Sequence, residues 1–480
     1  MERGKSSFAG QGALGIAGWL TFVVLASAGA TELSVPSQFA EIQQAIDLAS
    51  PGDTVVVASE GGPYYESLRI DAARTSDITI LGPCAGSPPM ILGGPNEKAL
   101  VRLVNTVGRE IRVRLENLEF DGLDRATYGI RVNNPAEDSE AILSRLELEK
   151  VVVRRCRFGI EVGSRIGTFG CDGSWGAVDW KKLGQSRSAF HMNNCAIVAN
   201  SDDGVNLWRV VGEITRSLIG YNGDEGIHTT HADGMVFRHN ILILNRGVNL
   251  HLHMGDDVRV ENNAFVRCLV AHRAPPYPSS GGYGVVVGGQ LGVEGVQLYN
   301  NLFLGSDAAG LKINPAEVMY DSLNCMGFPV RVDVRNNAFV SNGIAGGDSI
   351  PEVDLLYNES GIGGMELRAS YNLFLNAGTA ANVVLDETNL LGVDPAFRAA
   401  PGKGDLPMFI TDPRGAKEAI EARFLGFELS AQSAAIDAGD PAKAFEDGVG
   451  LAKGMERNDV GPFGGPASDW GIRRRYNSEY

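Results

Sequence analysis

A short unit recurs along this chain and limits the folds that the chain can adopt. The unit is a glycine followed by an aliphatic residue, a variable residue and a further, mostly apolar residue. It stands at Gly129–Val132, Gly159–Val162, Gly204–Leu207, Gly226–Thr229, Gly247–Leu250, Gly284–Val287 and Gly310–Ile313. A second unit, an asparagine before a large apolar residue, stands at Asn262–Phe265, Asn300–Phe303, Asn336–Phe339 and Tyr371–Phe374. The 61 glycines exceed the usual share and suit a fold with many tight turns.

The spacing of equivalent positions gives the length of one repeat. Taking Ile197, Ile219, Leu242 and Phe265 as equivalent gives steps of 22, 23 and 23 residues, and other steps are longer. Repeats of this length with β-rich units are typical of a solenoid whose stacked coils bury one another's apolar faces. Helical repeats are disfavoured because the apolar residues alternate with a period of two. Asparagines at a fixed phase predict side-chain hydrogen bonds that run up the stack.

These repeats resemble the right-handed parallel β-helix superfamily of pectate-lyase type, with its carbohydrate-binding and sugar-hydrolase repeat family. The resemblance covers residues 33 to 465. It implies an all-β chain folded as a right-handed parallel β-helix solenoid, with an N-terminal capping helix and a C-terminal cap segment. Members of this architecture include lyases, hydrolases, epimerases and non-catalytic proteins, so the resemblance is specific for the fold and weak for the activity.

The N-terminus is typical of a secretory signal. Residues 1–30 place basic Arg3 and Lys5 before an apolar run that ends in a small-residue cleavage pattern, Ala28-Gly29-Ala30. A retained membrane anchor is the alternative to cleavage. We therefore expect a secreted or periplasmic protein of the cell envelope, with no integral membrane segment after the signal is cleaved.

The rest of the chain is predicted to form a β-helix with its N-terminal cap (31–389), a C-terminal cap packed on the solenoid (390–470) and a tail (471–480). The N-terminal cap should contain a helix that Ser37 N-caps. The buried face of this helix is expected to hold Ile42, Ala45, Ile46 and Ala49. We expect the protein to be a monomer.

Composition narrows the partners and the redox chemistry. The net charge of −16 argues against nucleic-acid binding, which normally needs a basic face. The spacings of the six cysteines match no zinc pattern. A disulfide between Cys156 and Cys171 and buried free thiols are both compatible with the sequence.

All seven histidines lie between His191 and His272. On each repeated strand the variable residue should face outward, so stacking the units predicts two outward columns. The first column is Arg131, Glu161, Asn206, His228, Asn249, Val286 and Lys312, and the second is Asn133, Gly163, Trp208, Thr230, His251, Gly288 and Asn314. Imidazoles, amides and an aromatic ring on one surface suit a glycan. A solvated strand face with incidental histidines is the alternative, and His191 and His239 are expected to be structural or surface residues.

Four carboxylates precede the histidine-bearing strands. Asp202 and Asp203 should lie over Asp224 and Glu225 of the next coil, and they cannot all ionise there without cost. A Ca²⁺ ion is one solution, although calcium needs about six oxygen ligands. An ion ladder of Asp203, Glu225 and Arg246 is the alternative. A copper or zinc site at His228, His251 and His253 is a further hypothesis, without a matching metal motif.

The functional hypothesis is an enzyme acting on a polysaccharide, most plausibly a lyase that performs β-elimination at a uronate. His228 is the predicted base, with His251 or Arg273 assisting, while Asn206 and Asn249 orient the sugar carboxylate. Trp208, Arg131 and Lys312 complete the predicted substrate-binding set. A C5-epimerase would use the same proton abstraction, and a glycoside hydrolase is a further alternative. A non-catalytic envelope protein that binds glycan is the alternative from another class.

Overall fold

The computed structural model describes residues 30–93, 98–133, 142–163, 187–253, 255–271, 280–288, 293–313, 330–343, 365–375, 385–399, 412–448, 452–454 and 457–470. Nearly all of its regular structure consists of parallel strands in three long sheets, and the chain passes through these sheets in turn. The fold is therefore the right-handed parallel β-helix that the repeat predicts. The predicted signal peptide and the tail lie outside the described residues.

Each coil contributes one strand to each sheet that it reaches. The first sheet contains the strands Glu32–Val35, Asp53–Val57, Asp77–Leu81, Ile111–Glu116, Ile142–Glu149, Arg187–Asn193, Val210–Thr215, Val236–Arg238, Arg259–Glu261, Val296–Tyr299, Val330–Arg335 and Met365–Ser370. The second sheet contains Tyr64–Tyr65, Met90–Leu92, Glu119–Asp121, Val152–Arg154, Ala196–Val198, Leu218–Gly220, Ile241–Ile243, Ala264–Val266, Leu302–Leu304, Ala338–Val340, Leu373–Phe374 and Leu390–Leu391. The third sheet contains Leu68–Asp71, Ala99–Val104, Tyr128–Asn133, Phe158–Val162, Val205–Trp208, Ile227–Thr230, Val248–Leu252, Tyr283–Val287 and Ala309–Ile313.

Two short strand pairs lie beside these sheets. Gly255–Asp256 pairs in parallel with Val293–Glu294, and Val270–Ala271 pairs antiparallel with Ser280–Gly281. The described helices are Ile42–Leu48 and Pro413–Phe424. Neither of these helices has the length and hydropathy that a membrane-spanning helix requires, and this statement covers the described residues only.

The interior of the solenoid is built from the alternation that the strands carry. In Ile111–Glu116 the isoleucine, valine and leucine are buried, and the two arginines between them are exposed. Equivalent side chains stack from coil to coil, and the phenylalanine repeat forms one such stack. The ring centroids of Phe265 and Phe303 are 5.1 Å apart, and those of Phe303 and Phe339 are 4.5 Å apart. Burial of such columns supplies the main favourable term of folding.

A ladder of buried asparagines joins the coils between the first and second sheets. Its members are Asn240, Asn263, Asn301, Asn337, Asn372 and Asn389. Each side-chain amide donates to the carbonyl oxygen of the next, as from Asn263 to Asn301 at 3.1 Å. The backbone N–H of Asn263 donates to the same oxygen, at 2.9 Å. Every buried polar atom that the ladder satisfies would otherwise cost free energy, so the ladder holds successive coils in one register.

A second ladder lies between the second and third sheets, directly before the histidine-bearing strands. Asn200 donates from its amide to Asn222 at 3.0 Å, and Asn222 donates to Asn245 at 2.9 Å. All three side chains are buried. This ladder therefore sets the register at which the strands of the third sheet begin.

From Asn117 to Tyr371, the residue that follows each strand of the first sheet occupies the same corner and has a left-handed backbone. We call this set the corner column: Asn117, Lys150, Asn194, Arg216, His239, Asn262, Asn300, Asn336 and Tyr371. Asparagine adopts positive φ more readily than most residues, which explains its prevalence here.

The C-terminal segment runs along the corner column and bonds to it. Asn262 donates from its amide to the backbone oxygens of Pro462 and Gly464, at 3.0 and 2.8 Å. The imidazole Nε2 of His239 lies at hydrogen-bond distance from the backbone oxygen of Ala467. The C-terminal segment thereby covers a row of amide and imidazole groups, which are buried beneath it.

The N-terminal helix begins at Ile42, and the predicted capping residue is wrong. Its N-cap position is Glu41, which makes no side-chain cap hydrogen bond. The carboxylate of Glu66 instead accepts from the backbone N–H groups of Ile42 and Gln43, both at 2.9 Å. A side chain from a neighbouring turn therefore satisfies the helix N-terminus in place of Ser37.

Replacement of Asn301 by alanine is expected to lower the free energy of unfolding by about 2–5 kcal/mol. The change leaves the backbone and side-chain donors of Asn263 without their acceptor, and it removes the donor to Asn337. Urea unfolding followed by circular dichroism measures the loss. Gln297→Ala, on the outer face of a neighbouring strand, is the control and should change stability by less than about 0.5 kcal/mol. Equal stabilities of the two variants would contradict the ladder's role.

Candidate functional site

The candidate site lies on the outer face of the third sheet. Strand pairing places Asn206 beside His228, and His228 beside His251, on three successive coils. The flanking residues Ile227 and Leu250 are buried in the solenoid, so alternation directs the two imidazoles outward. Both histidine side chains are about one-fifth exposed, at 21% and 19%. The site is thus a partly covered surface and not a solvated strand face.

The predicted place of Asn249 in the outward column is wrong. Asn222 stacks on Asn245 of the next coil. Four positions after each of these asparagines stand Gly226 and Asn249, so these two residues lie side by side. Asn249 is fully buried and accepts from the Asn245 amide at 2.8 Å. The asparagine ladder, and not the recurring glycine, determines the register.

The same correction moves the other histidines of this region. His251 takes the outward position beside His228 that had been assigned to Asn249. The predicted neighbour of Thr230 was His251, and the register places His253 there instead. The shift of two residues therefore brings three imidazoles together.

Glu225 joins the two central histidines. Its Oε2 lies 2.9 Å from Nδ1 of His228, and its Oε1 lies 2.8 Å from Nδ1 of His251. Burial opposes the ionisation of Glu225, but the charges and hydrogen bonds of the two imidazoles hold its pKa well below the usual range. One carboxylate therefore accepts from both rings and orients both.

The three imidazoles are stacked nearly parallel. The ring centroids of His228 and His251 are 5.2 Å apart, and His253 lies 5.9 Å from the first and 5.3 Å from the second. Burial, and then the charges of His251 and His228, lower the pKa of His253 to about 3. His253 is therefore neutral near pH 7. The sequence placed His253 with His228 and His251 only in the hypothesis of a copper or zinc site, because its position beside them depends on the register of the ladder.

The predicted substrate-binding residues lie along the same face. The ring of Trp208 is 6.2 Å from that of His228. The Asn206 side chain is buried and donates to Asp203 at 2.9 Å, and its oxygen has no hydrogen-bond partner among the described residues. Arg131 pairs with the buried carboxylate of Glu161 at 3.0 Å.

Lys312 stands at the other end of this face. Strand pairing carries the column from His251 through Val286 to Lys312, whose ammonium group lies 5.0 Å from the ring centroid of Tyr283. Arg273, the predicted assistant of the base, lies outside the described residues.

The four predicted calcium ligands separate into two groups. Asp202, Asp203 and Asp224 each offer an oxygen within 4.8 Å of the others, whereas Glu225 turns to the histidines. Burial, and then the neighbouring charge of Glu225, raise the pKa of Asp203 to about 8. Three carboxyl groups held this close fit a cation, because a cation would favour the ionised form of Asp203. Arg157 already pairs with Asp202, at 3.1 Å.

The structure also bears on the predicted ion ladder and on the predicted transition-metal site. The ladder of Asp203, Glu225 and Arg246 is wrong, since Arg246 is exposed and forms no ion pair with a described residue. For a transition metal, the described residues that place ligand atoms within 4.8 Å of one another are Glu225, His228 and His251.

His239, His191 and four cysteines lie apart from the site. His239 is buried against the C-terminal segment, and burial lowers its pKa to about 4. His191 is half-buried, and its Nδ1 lies 3.7 Å from a carboxylate oxygen of Glu213. Cys156 is a buried free thiol, as are Cys195 and Cys268, while Cys84 is exposed. The suggested partner Cys171 lies outside the described residues.

Comparisons with known proteins add likenesses at the level of the fold. Residues 183–317 match a family model described as a right handed beta helix region. Among solved structures, the pectate lyase Pel9A is 13% identical, with 91% of this chain and 96% of that chain covered and a TM-score of 0.43. The A-module of the mannuronan C-5 epimerase AlgE4 from Azotobacter vinelandii is 15% identical, with coverages of 73% and 90% and a TM-score of 0.43.

A third solved structure has a similar likeness. The GH136 lacto-N-biosidase from Eubacterium ramulus is 11% identical, with 72% of this chain and 68% of that chain covered and a TM-score of 0.46. No curated protein sequence matches the chain significantly.

Replacement of His253 by asparagine is expected to make the protein more resistant to mild acid. The folded protein keeps His253 neutral, whereas the unfolded chain takes up a proton below the ordinary pKa of 6.5. The wild type should therefore lose about 1–2 kcal/mol through this residue by pH 5, and the variant should not. Urea unfolding at pH 7 and pH 5 measures the difference.

His191→Asn, at a half-buried histidine apart from the site, is the matched control and should keep the pH dependence of the wild type. A His253→Asn protein that loses as much stability between pH 7 and pH 5 as the wild type would contradict the burial argument.

Proposed function

We propose that this protein is an exported polysaccharide-active enzyme that performs β-elimination at a uronate. The observation that carries the proposal is the Glu225 carboxylate, which accepts from Nδ1 of both His228 and His251 on one outer face. This arrangement provides two oriented imidazoles that share one negative charge. Such a pair can hold one ring neutral and the other protonated, as an acid–base reaction requires.

The elimination needs a base at C5 of the sugar, a donor to the leaving oxygen at C4, and a group that stabilises the carboxylate-enolate. His228 lies beside Trp208, which offers an aromatic ring for stacking on a sugar, and His251 is one coil farther away. We therefore assign the base to His228 and the proton donor to His251. Asn206 is fully buried and its amide donates to Asp203, so it holds the carboxylates beside the histidines and does not contact the sugar.

Cationic and aromatic groups extend the substrate surface on both sides of this pair. Arg131 lies three coils before His228, and Lys312 lies two coils after His251. Neighbouring coils are about 4.8 Å apart, so these groups span several sugar units. Trp208 offers an aromatic face beside His228 for stacking on a sugar ring.

The geometry favours elimination over the two related reactions. A C5-epimerase returns a proton to the opposite face of the ring, whereas both imidazoles here lie on one face of the sheet, with ring centroids 5.2 Å apart, and would approach a sugar from the same side. A glycoside hydrolase uses two carboxyl groups about 5–9.5 Å apart on either side of the scissile bond. Here Glu225 is hydrogen-bonded to imidazoles, and Asp203 accepts a hydrogen bond from the amide of Asn206.

Substitution of either central histidine should abolish most of the activity. His228→Ala and His251→Ala are each expected to lower kcat/KM on a uronate polysaccharide by at least about 100-fold, since each removes a proton-transfer group. Absorbance of the unsaturated product, measured over a panel of uronate polysaccharides, gives the rates. His191→Ala is the matched control and should retain wild-type activity.

Three outcomes would contradict the proposal. Unchanged activity in His228→Ala would remove the assigned base. Measurable glycan binding without product on any polysaccharide of the panel would make the protein a non-catalytic glycan-binding β-helix. Exchange of the C5 hydrogen with deuterated solvent, without unsaturated product, would identify an epimerase.

We also propose that a calcium ion binds between Asp202, Asp203 and Asp224. The Asp224→Asn variant is expected to lower calcium affinity at least about 10-fold, because one of three closely placed charges is lost. Calorimetric titration of the metal-stripped protein measures the affinity. Asp386→Asn, at an exposed turn, is the control. Equal calcium binding by Asp224→Asn and the wild type would contradict this site.

A further inference from the structure

A cleft lies away from the histidines, where the C-terminal helix (Pro413–Phe424) packs near the corner column. Its volume is about 640 Å³, which is in the range of small-molecule binding sites. Four successive corner residues line it, namely Asn117, Lys150, Asn194 and Arg216. Arg414 and Lys417 of the helix line it from the other side. We call this space the corner cleft.

The cations of the corner cleft are bonded mainly to neutral groups. Arg414 donates to the side-chain oxygen of Asn117 at 2.9 Å and to the backbone oxygen of Lys150 at 2.8 Å. Arg216 donates from Nε to the backbone oxygen of Trp470 at 3.3 Å. Among the described residues, no carboxylate lies within salt-bridge distance of Lys150, Arg216 or Arg414.

The carboxylates of the cleft do not balance its positive charge. Lys417 pairs with Glu421, and Glu418 is the other acidic residue that lines the cleft. Burial also lowers the pKa of Arg414, although the charges of Glu119, Asp412 and Glu418 act against this lowering. Four cations against two carboxylates make the cleft positive, in a chain whose net charge is −16.

The backbone makes the two corner cations unexpected. Lys150 and Arg216 have φ values of 54° and 49°, in the left-handed region. At the equivalent corner the chain uses asparagine in most other coils, as at Asn117 and Asn194, which flank Lys150. A long side chain costs about 1 kcal/mol more than asparagine in this conformation. Lysine and arginine are therefore present here against the local conformational preference, and they face one cleft.

We propose that the corner cleft binds an oxyanionic group, carried as a carboxylate or sulfate on a glycan or as a free inorganic anion. Lys150, Arg216 and Arg414 are the ligands of this group. The corner cleft lies between the first and second sheets, whereas the histidine site lies on the third sheet. Binding there is therefore separate from the proposed elimination, and either conclusion can fail without the other.

The test is calorimetric titration of the full-length protein at constant ionic strength, with sulfate and with a sulfated galactotriose, which contains no uronate for the histidine site, as the probes. The variant is Lys150→Asn combined with Arg216→Asn, which restores the residue that the corner backbone favours and so preserves the fold. Arg267→Asn is the matched control, because Arg267 is also a basic residue with positive φ, 46°. Thermal melting of each variant verifies folding.

We expect the double variant to bind at least 10-fold more weakly than the wild type, and the Arg267→Asn control to bind as the wild type does. Binding of sulfate as tight as that of the sulfated galactotriose would assign the cleft to small anions, and binding of the galactotriose alone would assign it to an anionic glycan. Absence of binding of both probes by the wild type, or equal binding by the double variant, would overturn the proposal.

Discussion

The hydrogen bonds between stacked asparagines determine how each coil lies on the next. Each buried amide donates to the asparagine of the following coil, and the same oxygen accepts a backbone N–H, as at Asn301. A shift of one coil against its neighbour would leave several buried polar groups without partners, each at a cost of about 1–3 kcal/mol. The hydrophobic columns favour stacking, but they tolerate sliding more readily than this ladder does. The ladders therefore convert a general tendency to stack into one register.

The candidate site is a consequence of that register. Asn222 and Asn245 align the strands that follow them, and this alignment brings His228 and His251 side by side over Glu225. Glu225 is hydrogen-bonded to both imidazoles, and the two histidines lie on neighbouring strands of the third sheet, so the stacking of the coils is enough to form the acid–base pair. The same stacking aligns the corner residues. Asn262 hydrogen-bonds to the C-terminal segment, and Lys150 and Arg216 line the corner cleft.

Much of the fold could be predicted from the sequence, because the apolar alternation and the asparagine phase are both local signals. The outward position of His228 follows from the same alternation, whereas the burial of Asn206 depends on its hydrogen bond to Asp203. The place of Asn249 could not be predicted from the recurring glycine, since glycine occupies that corner in one coil and asparagine in the next. Counting from Asn222 and Asn245 would have found it. The capping of Ile42 by Glu66 was missed because it depends on a contact between distant turns.

The protonation of the central imidazoles gives the most direct test of this account. Long-range proton–nitrogen correlation spectra of the histidine-labelled protein report which ring nitrogen carries the proton. Variants at His228 and His251 assign the two signals. If Glu225 accepts from both rings, then both histidines carry a proton on Nδ1, including in the neutral form. A neutral form protonated only on Nε2 at either residue would contradict the shared carboxylate and with it the proposed acid–base pair.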